Sequence, residues 1–150
     1  MLRNLAWTAL VALAAVATTP HDVQAASARE IDGRVHETLD RFFYKIGGAR
    51  ELANKSVGIL VFPSVVKAGF GIGGEYGEGA LLVRGRTVDY YNMISASIGF
   101  QLGVQERSVI IAFMTPQALD QFRRTAGWKI GADASVAIIT VGIGGSVDTN

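Results

Sequence analysis

Ser56-Val57-Gly58-Ile59-Leu60-Val61-Phe62-Pro63 is followed, one residue later, by Val65-Val66-Lys67-Ala68-Gly69-Phe70-Gly71-Ile72-Gly73-Gly74. The first run is short, apolar and β-branched, which is the pattern of a buried strand. Pro63, which cannot donate to a ladder, is read as its end. Val65 to Ile72 is a second strand. Downstream, Ala80 to Arg84, Val88 to Tyr91, Ser95 to Leu102 and Ser108 to Met114 have the same texture, and Arg84-Gly85-Arg86-Thr87 reads as a hairpin turn. Trp128 to Val141 is a further strand, broken or bulged at Gly131. Fifteen of the 18 glycines lie at or after Gly58, many inside strand-like segments. Glycine is costly there unless a strand bends or backbones approach closely. The pieces Gly69 to Gly73, Ile98 to Gly103 and Trp128 to Gly131 recur at a spacing of about 30 residues, as stacked hairpins would, without the regularity of a solenoid.

Two helices frame this pattern. Ile31, Val35, Leu39, Phe42, Phe43 and Ile46 recur at helical spacing until Gly47-Gly48, which predicts a helix from about Glu30 to Ile46. A further helical turn is expected from Ala49 to Asn54. In the second helix, Thr115 is a good N-cap and Pro116 suits the first helical position. Leu119 and Phe122 give the apolar face, and Gly127 stands past the end. The fold class read from this is α+β. It is a curved, mainly antiparallel, glycine-rich sheet, barrel-like or sandwich-like, with an N-terminal amphipathic helix and one short inserted helix.

Upstream of these elements the texture differs. Arg3 is the only charge before Asp22, Leu5 to Val16 is an almost unbroken apolar run, and Val23-Gln24-Ala25 offers small residues at a cleavage site. A basic start, a short apolar core and a small-residue exit describe a secretory signal peptide. The run is shorter than the roughly 20 residues a membrane-spanning helix needs. The organisation read is a leader over 1–25 and one domain over 26–150, exported to the periplasm or cell envelope.

Composition narrows the chemistry. The chain of 150 residues has no cysteine, two histidines (His21 and His36) and a formal net charge of +1. Disulfides, thiolate metal sites and a cysteine nucleophile are excluded, and the charge does not suit a nucleic-acid partner. Gly69, Gly71 and Gly74 satisfy G-x-G-x-x-G with Asp89 following, which on paper is a dinucleotide fingerprint. That fingerprint needs a helix N-terminus behind the glycines, whereas Glu75-Tyr76-Gly77-Glu78-Gly79 and a β-like run follow. Curvature of a strand is the better reading, and no nucleotide is expected. Glu75 and Glu78 are read as a solvated glycine-rich turn rather than an acid/base pair. Lone His36, on the first helix, is read as a boundary residue. The chain is therefore expected not to be an enzyme and to hold no metal or cofactor.

Basic residues offer more. At 100° per residue Arg34, Arg41 and Lys45 fall within about 40° of one another, beside the apolar stripe of the first helix. Such a helix fits an anionic membrane surface, or a core-packed helix with a solvated face. Arg84 and Arg86 flank the hairpin turn. Arg123, Arg124 and Lys129 surround the end of the second helix, where cations also complement its dipole. If the sheet brings these groups together they form a phosphate-binding surface.

Taken in order, Ser56 to Pro63 with Val65 to Gly74, Ser97-Ile98-Gly99-Phe100-Gln101-Leu102-Gly103, Phe113-Met114-Thr115 with Ala118, Leu119 and Phe122, and Trp128 to Val136 resemble the SYLF lipid-binding domain. The likeness runs from about Ile31 to Asn150. It implies a non-enzymatic domain that binds acidic phospholipids, phosphoinositides in eukaryotic members, with an envelope role for exported members. Lys67 matches the family's lysine, and the helix carrying Arg34, Arg41 and Lys45 corresponds to the amphipathic helix implicated in some members. Some eukaryotic members also bind actin, which does not suit an exported chain. The family domain usually continues past Gly144 to Asp148 for another strand pair, so missing C-terminal strands are expected. The function read is binding of an anionic phospholipid membrane through Arg34, Arg41, Lys45, Lys67, Arg84, Arg86, Arg123, Arg124 and Lys129. The alternative is a structural module of the envelope with a protein partner and no lipid ligand, joined through open sheet edges.

Overall fold

The structure, a computed structural model, describes residues 20–70, 72–98, 104–126, 128, 135–142 and 147–149. It is an α+β fold built on one antiparallel sheet. Helix α1 (Pro20–Lys45) and the short α2 (Ala49–Lys55) precede strands β1 (Gly58–Phe70), β2 (Ile72–Val83), β3 (Arg86–Ile98) and β4 (Val104–Phe113). Helix α3 (Pro116–Arg124) then leads to β5 (Val136–Gly142) and β6 (Val147–Thr149). The strand order is β3-β2-β1-β4-β5-β6. The outer strands β3 and β6 each pair on one side among the described residues, so the sheet is not closed into a barrel.

Helix α1 begins ten residues before the expected Glu30. Pro20 is tolerated in a first turn, and no glycine or further proline lies between it and Glu30 to stop the helix. The proposed cut after Val23-Gln24-Ala25 falls on these first turns, and residues 1–19 of the proposed leader lie outside the described residues. The helix ends where the paired glycines predict. Gly48, at φ 82°, turns the chain into α2, with Leu52 N donating to its carbonyl. The Arg50 guanidinium lies 4.9 Å over the Phe43 ring and ties α2 back to α1.

Pro63 does not end its strand. β1 continues to Phe70, and the register slips on both sides of Pro63, between Val61 and Ser64 towards β2 and between Phe62 and Val65 towards β4. The proline occupies a bulge, where a missing N–H costs no ladder bond, and Ser108 Oγ donates to its carbonyl at 2.7 Å. Gly79 and Gly77 let β2 follow that bulge. A Cβ on Gly79 would lie 2.2 Å from the Val61 carbonyl oxygen, and one on Gly77 2.9 Å from that of Ser64.

The segment expected to be a solvated turn is therefore the middle of β2. Glu75 is buried, and of the two glutamates only Glu78 faces solvent. Strand, not helix, follows the G-x-G-x-x-G glycines. Val88 to Tyr91 and Ser95 to Ile98 belong to one long strand, β3. The Arg84–Gly85 turn is as expected: both residues have positive φ, 54° and 74°, in a two-residue loop between the paired Val83 and Arg86.

The sheet is covered on both faces. On one, Val35, Leu39 and Phe42 of α1 pack on Val61, Ala80, Leu82, Ile110 and Ile139. On the other, Phe122 of α3 packs on Leu60, Leu81, Val109, Ile111 and Phe113. Around Phe122 the ring centroids of Tyr91, Phe113 and Trp128 stand 4.7, 5.0 and 5.3 Å away, within the range of favourable aromatic pairs. Helix α3 starts as the sequence indicates, with Thr115 Oγ1 accepting from Ala118 N at 3.1 Å and Pro116 next. It closes at Thr125, and Gly127, Lys129 and Gly131 lie outside the described residues.

Candidate lipid-facing surfaces

The apolar stripe of α1 is spent on the sheet: Val35 is fully buried and Phe42 is 3% exposed. What α1 presents outward is its polar arc. Arg34 is ion-paired with Glu30 one turn earlier. Arg41 reaches Thr38 Oγ1 at 3.5 Å, and neither Arg41 nor Lys45 has a carboxylate partner among the described residues. Tyr44, on the same outward arc, is 91% exposed.

The two flanks of α1 differ in charge, one basic and the other mixed. Arg41 and Lys45 line a small cleft with Thr38, Ser108 and Gly142. His36, Asp40 and Phe43 line a broad cleft on the other flank with Arg84, Gly85, Pro116 and Arg123. There the His36 Nδ1 donates to the Asp32 carbonyl at 2.7 Å. The Asp32 carboxylate accepts from Thr87 Oγ1 and from the Tyr90 hydroxyl, each at 2.9 Å, fastening α1 to β3. Partial burial first, and then that hydrogen bond, hold the Tyr90 hydroxyl above its ordinary pKa.

The sequence-derived basic residues thus fall into separate groups. Arg34, Arg41 and Lys45 share one side of α1. Arg84 and Arg123 meet in the broad cleft at the β2–β3 turn, and Arg86 stands exposed beside that turn. Arg123 and Arg124 also border a groove on the α3 face. Arg124 pairs with Asp120 at 2.9 Å. The Tyr91 hydroxyl, raised mainly by burial and by Asp89, is opposed in this by Arg123. Lys67 stands on β1 in register with Glu75 and Gln105, but its side chain, like all of Lys129, lies outside what the structure describes.

One charged pair was missed by sequence. Arg107 Nη2 donates to Glu75 Oε2 at 2.9 Å across the α3 face of the sheet, and Arg107 Nε is buried with no hydrogen-bond partner. The signal was present: Arg107 alternates with Val109, Ile111 and Phe113, so the period of two puts it on the core-facing side. On the α1 face, Val66 and Tyr76 are directly opposite each other in the ladder and exposed, at 37% and 49%. Tyr76 donates to Glu78 at 2.9 Å, and that bond is the first cause of its raised pKa.

Among the described residues no cluster of three or more metal-ligating side chains exists, and no helix is long and apolar enough to cross a membrane. The arrangement offers outward cations on one flank of a packed helix, a chemistry of phosphate contact.

Residues 94–150 match the model of the family described as Ysc84, Las17-binding protein actin regulator. No curated protein matches the chain. The matched span takes in the end of β3, β4, α3, β5 and β6, and therefore three of the four pieces on which the likeness was read. Over residues 94–150 the chain matches the Ysc84 (SYLF) domain, the family that its sequence resembles.

Proposed function

We propose that the chain is a non-enzymatic module that binds an anionic phospholipid surface after export. The observation that carries this reading is the pair Arg41 and Lys45, exposed on one flank of α1 without carboxylate partners among the described residues. The contact is electrostatic rather than that of a helix lying in the lipid, because α1 buries its apolar stripe against the sheet. The outward Tyr44 adds an amphipathic ring of the kind favoured at membrane interfaces. The family description names Las17 binding and actin regulation. The leader pattern argues for a lipid rather than actin as the partner of this chain.

Co-sedimentation with vesicles tests it. Phosphatidylcholine vesicles containing phosphatidylglycerol are expected to pellet the protein, less so as salt is raised, whereas pure phosphatidylcholine leaves it in solution. Equal pelleting by both, or by neither, contradicts the reading. A second reading, a protein-interaction module, is favoured by β3, whose outer edge pairs with nothing among the described residues.

A further inference from the structure

The strands β1 to β4 end together at one end of the sheet. Phe70 pairs with Ile72 across the β1–β2 tip, Ile72 with Ile98 of β3, and Ala68 with Val104 of β4. No residue between Lys67 and Glu75 carries a charge, and none does from Tyr90 to Gln105. The register therefore gathers the uncharged 68–70, 72–74 and 94–98, with their glycines and isoleucines, at a single end. The opposite end has the reverse character, with Arg84, Arg86, Asp120 and Arg123.

Two further observations point to what meets the uncharged end. Where the described side chains approach it on the α1 face, the exposed cross-strand pair is Val66 and Tyr76, an apolar group beside an amphipathic ring, with the exposed Glu106 of β4 opposite Val66 on its other side. Behind it lies the basic flank of α1. Arg41 and Lys45 share their cleft with Ser108, four residues up β4 from Val104, or about 13 Å at strand rise. An uncharged tip, a partly apolar pair beside it and cations farther back, past Glu106, supply the apolar and electrostatic signals of stable contact with an anionic bilayer.

We propose that the sheet end formed by 68–70, 72–74 and 94–98, with Val66 and Tyr76 beside it, enters the interfacial layer of an anionic bilayer, with Arg41 and Lys45 meeting lipid phosphates behind it. This rests on the membrane-binding reading above and names the part of the molecule that enters the lipid. The charged β2–β3 turn end then faces away from the membrane.

The absence of cysteine from the chain makes the test clean. Ala68→Cys and Ser97→Cys, each labelled with the environment-sensitive fluorophore NBD, sample the uncharged end, and Arg86→Cys samples the opposite one. Pelleting with vesicles is measured on the same samples, and circular dichroism shows that each is folded. With vesicles of phosphatidylcholine and phosphatidylglycerol, the 68 and 97 labels should shift to the blue and gain emission, while the 86 label stays unchanged. Two positions at the uncharged end keep the test open if one variant fails to fold. Pelleting with no change at 68 or 97, or with the change at 86, overturns the insertion and leaves membrane binding standing. A protein concentration-dependent blue shift at 68 or 97 without vesicles assigns the surface to a second copy and overturns it too. Failure to pellet overturns both readings.

Discussion

The two ends of the sheet are built differently, although the same strands run through both. At the β2–β3 turn end, the sheet is covered by α1 on one face and α3 on the other. Phe113 is fully buried there, and Phe122 sits in a cluster of four aromatic rings. Past the bulge at Pro63, Val65 stays buried on the α3 face, while Val66 and Tyr76 stand exposed on the α1 face, as Val88 and Tyr90 do on β3 nearer the turn. Stability resides in the first region. The second leaves one cross-strand pair, Val66 and Tyr76, in contact with solvent.

The comparison breaks most readily at Phe122. Phe122→Ala removes the ring on which Tyr91, Phe113 and Trp128 converge. It should cost about 3–5 kcal/mol, the usual range for a buried phenylalanine, read from urea unfolding. A loss below about 1 kcal/mol shows that α3 does not anchor the packed end.

Gly79→Ala probes the join between the two regions. The new methyl would meet backbone, the Val61 carbonyl, rather than a yielding side chain. A loss of about 3 kcal/mol is expected, the upper end for overpacking. Gly33→Ala, with open space around its Cβ position, serves as the control and should not destabilise. Equal stability of the two variants removes the close approach at the bulge.

The smallest effect concerns the α1–β3 fastening. Because the folded-state pKa of Tyr90 is raised above its ordinary 10.0, the fold holds the phenol proton more tightly than the unfolded chain. The stabilisation is complete below that ordinary value and is lost as pH rises through the raised one. Tyr90→Phe should cost about 1 kcal/mol at neutral pH, the worth of one hydrogen bond. It should also make the alkaline decline in melting temperature shallower. Tyr76 and Tyr91 shift in the same direction, so the decline is reduced and not abolished. An unchanged alkaline limb contradicts the Asp32–Tyr90 contact.

What the sequence revealed follows from how local each signal is. Thr115-Pro116, Gly47-Gly48 and Arg84-Gly85 act within a few residues, through a cap, a left-handed turn and a two-residue loop, and all three stand where they were read. The β1 segment was legible as strand from its β-branched run. The passage through Pro63 was not, because a bulge is made by neighbours distant in sequence, here Gly77, Gly79 and Ser108. The same holds for Glu75. Glycines on either side gave it the texture of a loop, and its ladder partners Lys67 and Ser95 and its ion pair with Arg107, 32 residues on, are beyond any local signal. The basic row on α1 was readable because helical period fixes it. Whether Arg84, Arg86, Arg123 and Arg124 join that row depends on sheet order, and α1 separates Arg84 and Arg123 from Arg41 and Lys45.

That separation gives the decisive measurement: vesicle affinity of two charge-reversed proteins, compared side by side on phosphatidylcholine–phosphatidylglycerol membranes. Arg34→Glu, Arg41→Glu and Lys45→Glu together should weaken binding by about 3 kcal/mol, over a hundredfold, at roughly 1 kcal/mol per cation near an anionic surface. Arg84→Glu with Arg86→Glu, at the far end, should leave affinity unchanged. Undiminished binding by the α1 variant, or a loss confined to the Arg84 and Arg86 variant, contradicts the assignment of the lipid contact to the α1 flank.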